Sequence, residues 1–149
     1  MTMPLTIRPL EPADRSAWEP LFTGYLAFYK REMPAEVMAE CWRRFMDKAH
    51  VVEAHGAFEG EKLLGIVHFF PHANTSLLQD VCYLQDLFTV PGARGKGVGR
   101  ALIEHVYAIG AERGWARVYW HTHETNAEAQ VLYNKVAERS GFIVYRHNL

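Results

Sequence analysis

Between Gly92 and Arg100 the chain concentrates Gly92, Gly95, Gly97 and Gly99 with the cations Arg94, Lys96 and Arg100. The apolar stretch "VCYLQDLFTV" runs straight into this segment, and a long helical pattern leaves it. No other feature constrains the fold as much. Glycine lets a backbone adopt angles that other residues avoid and lets it come close to a ligand. The N–H groups of a first helical turn have no partner inside the helix, and the macrodipole there favours negative charge. A strand, a glycine loop and a helix in this order therefore make an anion site at the mouth of a helix.

Three phosphate-binding patterns compete for the segment. A Walker loop needs Ser or Thr after its Lys, and Lys96 is followed by Gly97. A dinucleotide fingerprint needs a third glycine where Arg100 stands and an acid ending the next strand, which here ends in His121. The third pattern, [RQ]-x-x-G-x-[GA], is filled by Arg94-Gly95-Lys96-Gly97-Val98-Gly99. A pyrophosphate suits such a loop. A plain flexible connection is the alternative.

The balance of Lys plus Arg against Asp plus Glu, 16 to 17, leaves a net charge of −1. Nothing global then attracts nucleic acid, so anion recognition must be local. No apolar run is long enough to span a membrane, and "MTMPLTIRPL" has no signal-peptide core. With Cys41 and Cys82 as packing thiols, a cytoplasmic protein is expected. His121 and His123 share a strand face but lack further ligands at zinc spacing, so no metal is expected.

Periodicity supplies the elements. "LTIRPL" reads as a strand from Leu5. A helix capped by Asp14 or Ser16 would carry Trp18, Leu21, Phe22, Tyr25, Phe28 and Tyr29, with Trp18, Phe22 and Phe28 in the core. A second, opened by Pro34, would carry Val37, Met38, Cys41, Trp42, Phe45 and Met46. Two strands follow about Gly60, then a third from Val81 to Val90. A helix from Gly97 to Arg113 is closed by Gly114. The strand "ARVYWHT", a helix capped by Asn126 and running up to Ser140, and a last strand "GFIVYRHNL" complete the chain. The order is β-α-α-β-β-β-α-β-α-β in a single domain over residues 1–149. Hairpins first and strand–helix–strand units last imply an α/β (α+β) mixed sheet with helices on both faces.

The hexad at Arg94–Gly99 resembles motif A of the GNAT superfamily, the acyl-CoA-dependent N-acyltransferases. A second block, Asn126-x-x-Ala129-x-x-Leu132-Tyr133 and then Gly141-Phe142, is similar to that superfamily's motif B. "CYLQDLFTVPGARGKGVGRAL" and "LYNKVAERSGFIVYR" are most similar to the polyamine- and histone-directed branches. Here Gln85-Asp86 stands where an acidic pair is frequent, and the gap from Tyr133 to Gly141 is about one helical turn longer than usual. The resemblance implies a GNAT fold: a mixed central sheet of six to seven strands, about four flanking helices, and strands splayed at the cofactor site. It also implies direct transfer of acetyl from acetyl-CoA to a primary amine, without a metal.

Roles follow from that implication. Arg94, Gly95, Lys96, Gly97, Val98, Gly99 and Arg100 would hold the pyrophosphate, with Phe88, Thr89, Val90 and Asn126 also on the cofactor. Main-chain N–H groups around Leu87, Phe88 and Val90 would face the thioester oxygen. Tyr133 lies seven residues after Asn126, two turns on, and would protonate the leaving thiolate. Asp86 is the candidate base or cation ligand, with Glu32, Glu36, Glu40, Glu53 or a water chain as alternatives. Alternation would place Leu84, Asp86 and Phe88 on one strand face and Gln85, Leu87 and Thr89 on the other. Tyr25 and Tyr29 would touch the acceptor, a cationic small or extended amine, either a small molecule or a peptide; core packing is their other reading. The last strand would leave an open edge, so a homodimer is expected. The competing function is a non-catalytic acyl-CoA sensor, from which Tyr133 distinguishes an enzyme.

Overall fold

The computed structural model describes residues 4–149, so the first three residues of the expected domain lie outside it. Strand β1 (Leu5–Pro9) leads through a 3-10 turn at Pro12–Asp14 into helices α1 (Arg15–Phe28) and α2 (Ala35–Met46). Strands β2 (Glu53–Glu59), β3 (Lys62–His72) and β4 (Val81–Thr89) follow, then helix α3 (Val98–Arg113), strand β5 (Val118–Tyr119) and helix α4 (Ala127–Val136). The sheet runs β1-β2-β3-β4-β5. Its first three junctions are antiparallel and β4–β5 is parallel. The mixed sheet and four helices agree with the sequence reading. The strand count among the described residues is five, below the six to seven expected.

Two apolar layers sandwich this sheet. Trp18, Phe22 and Leu26 recur every four residues on α1 and are buried with Met38 and Trp42 of α2 against Ala54, Phe58 and Ile66. On the other face Val98, Leu102, Ile103 and Val106 of α3 pack on Val67, Phe69, Cys82 and Leu84. Burial of one such side chain stabilises by about 1.5–3 kcal/mol. β3 is buried on both faces, which is why it reads "LLGIVHFF" without alternation. Gly65 lets α3 come close: a Cβ there would lie 2.8 Å from Val98 Cγ1 and 3.1 Å from the Phe88 carbonyl. Phe28, expected in the core, is 56% exposed because it lies at the end of α1, beyond α2's cover. Asp14 holds the N-cap position of α1, but its carboxylate turns back to the Glu11 amide and the Arg8 guanidinium.

A bulge sets the geometry of β4. Phe69 pairs with Leu84 and His68 with Asp86, so Gln85 is the extra residue and the alternation changes phase there. Leu84 therefore packs toward α3, while Asp86 faces α1 and α2. The expected sharing of one face by Leu84, Asp86 and Phe88 holds only from Asp86 onward.

The C-terminal part departs most from expectation. β5 is two residues long rather than seven, and α4 ends at Val136 rather than Ser140. Residues 137–149 form no strand, and Phe142, Ile143, Val144 and Tyr145 are exposed. They pair with no strand among the described residues.

Candidate active site

β4 and β5 meet only at Cys82–Val118 and Tyr83–Tyr119. Beyond that point the outer edge of β4 is open, and a cleft of about 370 Å³ lies against it. Leu87, Phe88 and Thr89 form one wall. Arg94, Gly95, Gly97, Val98, Gly99 and Arg100 form the end, Asn126, Leu132 and Tyr133 a second wall, and Tyr25 and Tyr29 the rim. Sequence reasoning thus named most of the lining. It gave no role to Phe28, Glu128 or Leu132, which also line the cleft; Leu132 lies 3.4 Å from where a Cβ on Gly99 would stand.

The loop has the geometry its glycines suggested. Gly95 and Gly97 take φ of +85° and +77°, and Gly97 is the N-cap of α3. A Cβ at either would meet nothing within 4 Å, so the demand is conformational and the space before the loop is open. The amides of residues 98–100 open the helix without intrahelical carbonyls. Arg94 and Arg100 flank them, although Arg100 Nε also donates to Glu104 at 2.9 Å. Lys96 does not line the cleft, and Val90 lines the adjoining apolar groove instead. Bare amides, a helix N-terminus and flanking guanidinium groups together fit a pyrophosphate.

The strand amides correct one detail. Val90 N–H donates to Leu64 O at 2.9 Å, so it is already engaged within the sheet. In an antiparallel ladder every second residue points the same way. Phe88 N–H, two residues back, therefore also turns toward β3. The amides of Leu87 and Thr89 turn to the open edge instead. Phe88 and Val90 are thus replaced by Leu87 and Thr89 as donors facing the cleft.

Tyr133 stands on α4 with its ring edge-on to Trp120, centroids 5.4 Å apart. Burial, with Tyr29 nearby, pushes its phenol up to about 12. It stays protonated at neutral pH and is a donor. Asn126 is the N-cap residue of α4, but its side chain reaches Thr122 Oγ1 at 3.4 Å rather than a helix amide.

Asp86 lies on the opposite side of β4 from this phenol's helix and does not line the cleft itself. Its Oδ2 is 2.9 Å from His68 Nδ1, and Trp18 Nε1 donates to His68 Nε2 at 3.0 Å. Tyr25 connects the two sides: it lines the cleft, and burial together with the neighbouring Asp86 carboxylate holds its phenol far above the ordinary value. Tyr25 and Tyr29 rings lie 5.1 Å apart. Burial, then Asp86, also raises the Cys41 thiol, to about 11. The alternative carboxylates are placed otherwise. Glu53 is bound to Arg113, Glu40 to Arg43 and Arg44, and Glu32 and Glu36 are exposed. Trp18 is in the core as the sequence suggests, but its bond to His68 was not anticipated; the available signal was a lone imidazole inside the apolar run of β3.

His121 accepts or donates at Tyr83 OH, 3.2 Å away, and His123 Nδ1 lies 2.7 Å from Thr125 Oγ1. Among the described residues no group of three or more His, Cys, Asp or Glu side chains could hold a metal ion. Among the same residues no helix is long and apolar enough to cross a membrane.

Comparison with known proteins agrees with this geometry. The model of the acetyltransferase (GNAT) family matches residues 15–137. The chain is 37% identical over 146 residues to the D-amino-acid N-acetyltransferase HPA3 of Saccharomyces cerevisiae, covering 97% of this chain and 91% of that protein. It is 28% identical to the uncharacterized N-acetyltransferase YhfO of Bacillus subtilis, covering 97% of this chain and 98% of that one. Among solved structures, AAC(6')-Iy in complex with the bisubstrate analogue CoA-S-monomethyl-acetylneamine superposes with a TM-score of 0.84 at 17% identity, covering 98% and 99% of the two chains. The glycine loop at the head of α3, the open edge of β4 and the match over most of its length establish that this chain belongs to the GNAT acetyltransferase family and is an N-acetyltransferase.

Proposed function

We propose that the protein transfers acetyl from acetyl-CoA directly to a primary amine, and that the acceptor is a small or extended cation. The observation that carries this reading is the pairing of two unlike sides across β4: an amide-rich cleft ending in a protonated phenol, and a carboxylate beyond Tyr25.

Acetyl-CoA supplies an activated acyl group; the chain's residues bind, orient and move protons. Arg94, Arg100 and the amides after Gly97 hold the pyrophosphate, with Lys96 adding long-range charge. The edge amides of Leu87 and Thr89 take the pantetheine arm as a neighbouring strand would, and direct N–H groups at the carbonyl oxygen where charge develops. Tyr133 delivers its proton to the leaving sulfur. An alkyl amine, with a pKa near roughly 10, must lose a proton before attack. Asp86 attracts the ammonium and accepts that proton, directly or through water. Tyr25 and Tyr29 offer ring faces to a cationic chain.

A second acceptor class has its own support. HPA3, by name, acts on D-amino acids. Arg31 lies near enough to Tyr25 to influence its phenol. An α-amino acid would set its ammonium toward Asp86 and its carboxylate toward Arg31. Faster turnover of an amino acid than of the amine lacking its carboxylate favours this class; the reverse favours a simple cation.

The kinetic test is Asp86→Asn, which keeps shape and removes charge. The acceptor KM rises about tenfold or more, or the pH–rate profile shifts upward, while acetyl-CoA affinity holds. No change in any of these would make Asp86 structural.

The same reading includes a homodimer and a cytoplasmic, single-domain enzyme. Phe142 and Tyr145 are 91% and 90% exposed, on a segment that leaves both itself and the β5 edge unpaired. Exchange of residues 141–147 with a second copy would cover both. Light scattering should give twice 17.1 kDa at micromolar concentration; a monomer alone would refute it.

A further inference from the structure

We propose that His68 is a positioning residue that aims Asp86 at the acceptor, and that Trp18 fixes the imidazole in the one tautomer able to do so. The inference rests on the reading of Asp86 given above and assigns a second layer of residues behind it.

The donor inventory decides the tautomer. An indole N–H is a donor only. Trp18 Nε1 lies 3.0 Å from His68 Nε2, so Nε2 must offer a lone pair. In the neutral ring the proton then sits on Nδ1, 2.9 Å from Asp86 Oδ2, and is donated to the carboxylate. A doubly protonated ring would set two N–H groups against each other at Nε2. His68 is therefore a fixed donor to Asp86, not a relay that carries a proton onward.

The surroundings hold the arrangement rigid. Trp18 is 0% and His68 2% exposed. Phe45 and Phe22 lie 4.6 and 4.8 Å from the imidazole, centroid to centroid, and Trp42 lies 4.8 Å from the indole. The bulge at Gln85 completes the device, since it turns Asp86 onto the face where His68 stands. His68 engages only one carboxylate oxygen. The titratable side chains next to Asp86 are Tyr25 from α1, Cys41 from α2 and Tyr83 from β4. Burial raises each of these before Asp86 adds to the effect, so they face it as neutral groups. A half-buried carboxylate held by one oriented donor keeps its direction and leaves its second oxygen free of His68.

Two amide substitutions separate the two hydrogen bonds of the imidazole. His68→Asn places an N–H near Nδ1 and keeps the donor to Asp86. His68→Gln places its amide near Nε2, satisfies Trp18 and removes that donor. The expected result is that His68→Gln lowers kcat/KM for the amine about 10-fold or more, as Asp86→Asn does, while His68→Asn stays within about 3-fold of wild type. Neither should change acetyl-CoA affinity. In an Asp86→Asn background His68→Gln should add nothing. Independently of any variant, nitrogen-15 NMR of the full-length wild type should show His68 protonated at Nδ1 and bare at Nε2. A proton on Nε2 overturns the inference, even if the variants fold poorly. Equal losses in both His68 variants, or normal kinetics in His68→Gln beside an impaired Asp86→Asn, overturn the role of His68 alone. An unimpaired Asp86→Asn overturns the underlying reading of Asp86 instead.

Discussion

The two edges of β4 contrast sharply. Toward β3 the strand is paired from Val81 to Thr89 except at the bulged Gln85, and its side chains enter two closed layers. Toward β5 it is paired at two positions only, and the remainder faces a cleft. One edge is spent on folding and the other is left for a ligand. The same contrast repeats at the scale of the chain. The fully buried apolar side chains all lie before Arg113, whereas α4 buries none fully and the segment after it stands open. The buried core is thus concentrated on one side of the cleft, and the other side is left open.

The largest expected effect lies at the loop. Gly97→Glu would force a side chain into a left-handed conformation at φ +77° and set a like charge before the phosphates. Calorimetry should show CoA affinity reduced by at least about 100-fold, with folding intact. Unchanged binding would remove the pyrophosphate assignment and with it the functional asymmetry of β4.

Next comes the phenol on the open side. Tyr133→Phe keeps the ring but removes the donor, and general-acid effects run to about 10²–10⁴-fold. The expected signature is a kcat loss of about 100-fold with little change in the KM for acetyl-CoA. A kcat equal to wild type would make Tyr133 a packing residue on Trp120.

The C-terminal segment tests whether the open side is completed by a partner. Truncation after Ser140 should convert the proposed dimer to monomer and lower thermal stability by a few degrees, consistent with loss of a small apolar patch. A truncated chain that keeps its mass ratio to wild type and still dimerises would place the contact elsewhere.

The smallest effect is on the closed side. Burial pushes Glu53 up, but hydrogen bonds with His55 and Arg113 outweigh it and hold the carboxyl at about 2, below an ordinary value of 4.5. A depressed carboxyl stabilises the fold above its unfolded pKa, and that contribution is lost as pH falls toward 2. Urea unfolding of Glu53→Gln should therefore show a shallower decline of stability between about pH 5 and pH 2 than wild type. Parallel curves would mean that the pair contributes nothing to folding.

These regions also differ in how legible they were. The glycine loop, the α3 helix and the Tyr133 register could be read directly, because each depends on local chemistry: φ above zero, a helix N-terminus, a seven-residue spacing. The bulge at Gln85 could not, since it is set by the pairing of β3 with β4 and leaves no mark in β4's own alternation. His68 and Trp18 escaped for the same reason. They are 50 residues apart, and their bond exists only once α1 lies on β3. The expected last strand failed for a different reason. "FIVYRHN" has strand composition, but the β5 edge that would receive it is only two residues long, too short to hold a strand of that length. Phe88 and Val90 were misjudged as donors because ladder phase, fixed here by Val90 and Leu64, decides which amides face outward.

The most direct measurement of the central claim is release of free thiol from acetyl-CoA by the purified full-length protein across primary amines of graded charge. The account predicts acceptor-dependent thiol release with equimolar N-acetylated product, fastest for acceptors bearing an ammonium that Asp86 can engage, and largely lost in Tyr133→Phe. A protein that binds CoA tightly yet releases no thiol with any amine would contradict it.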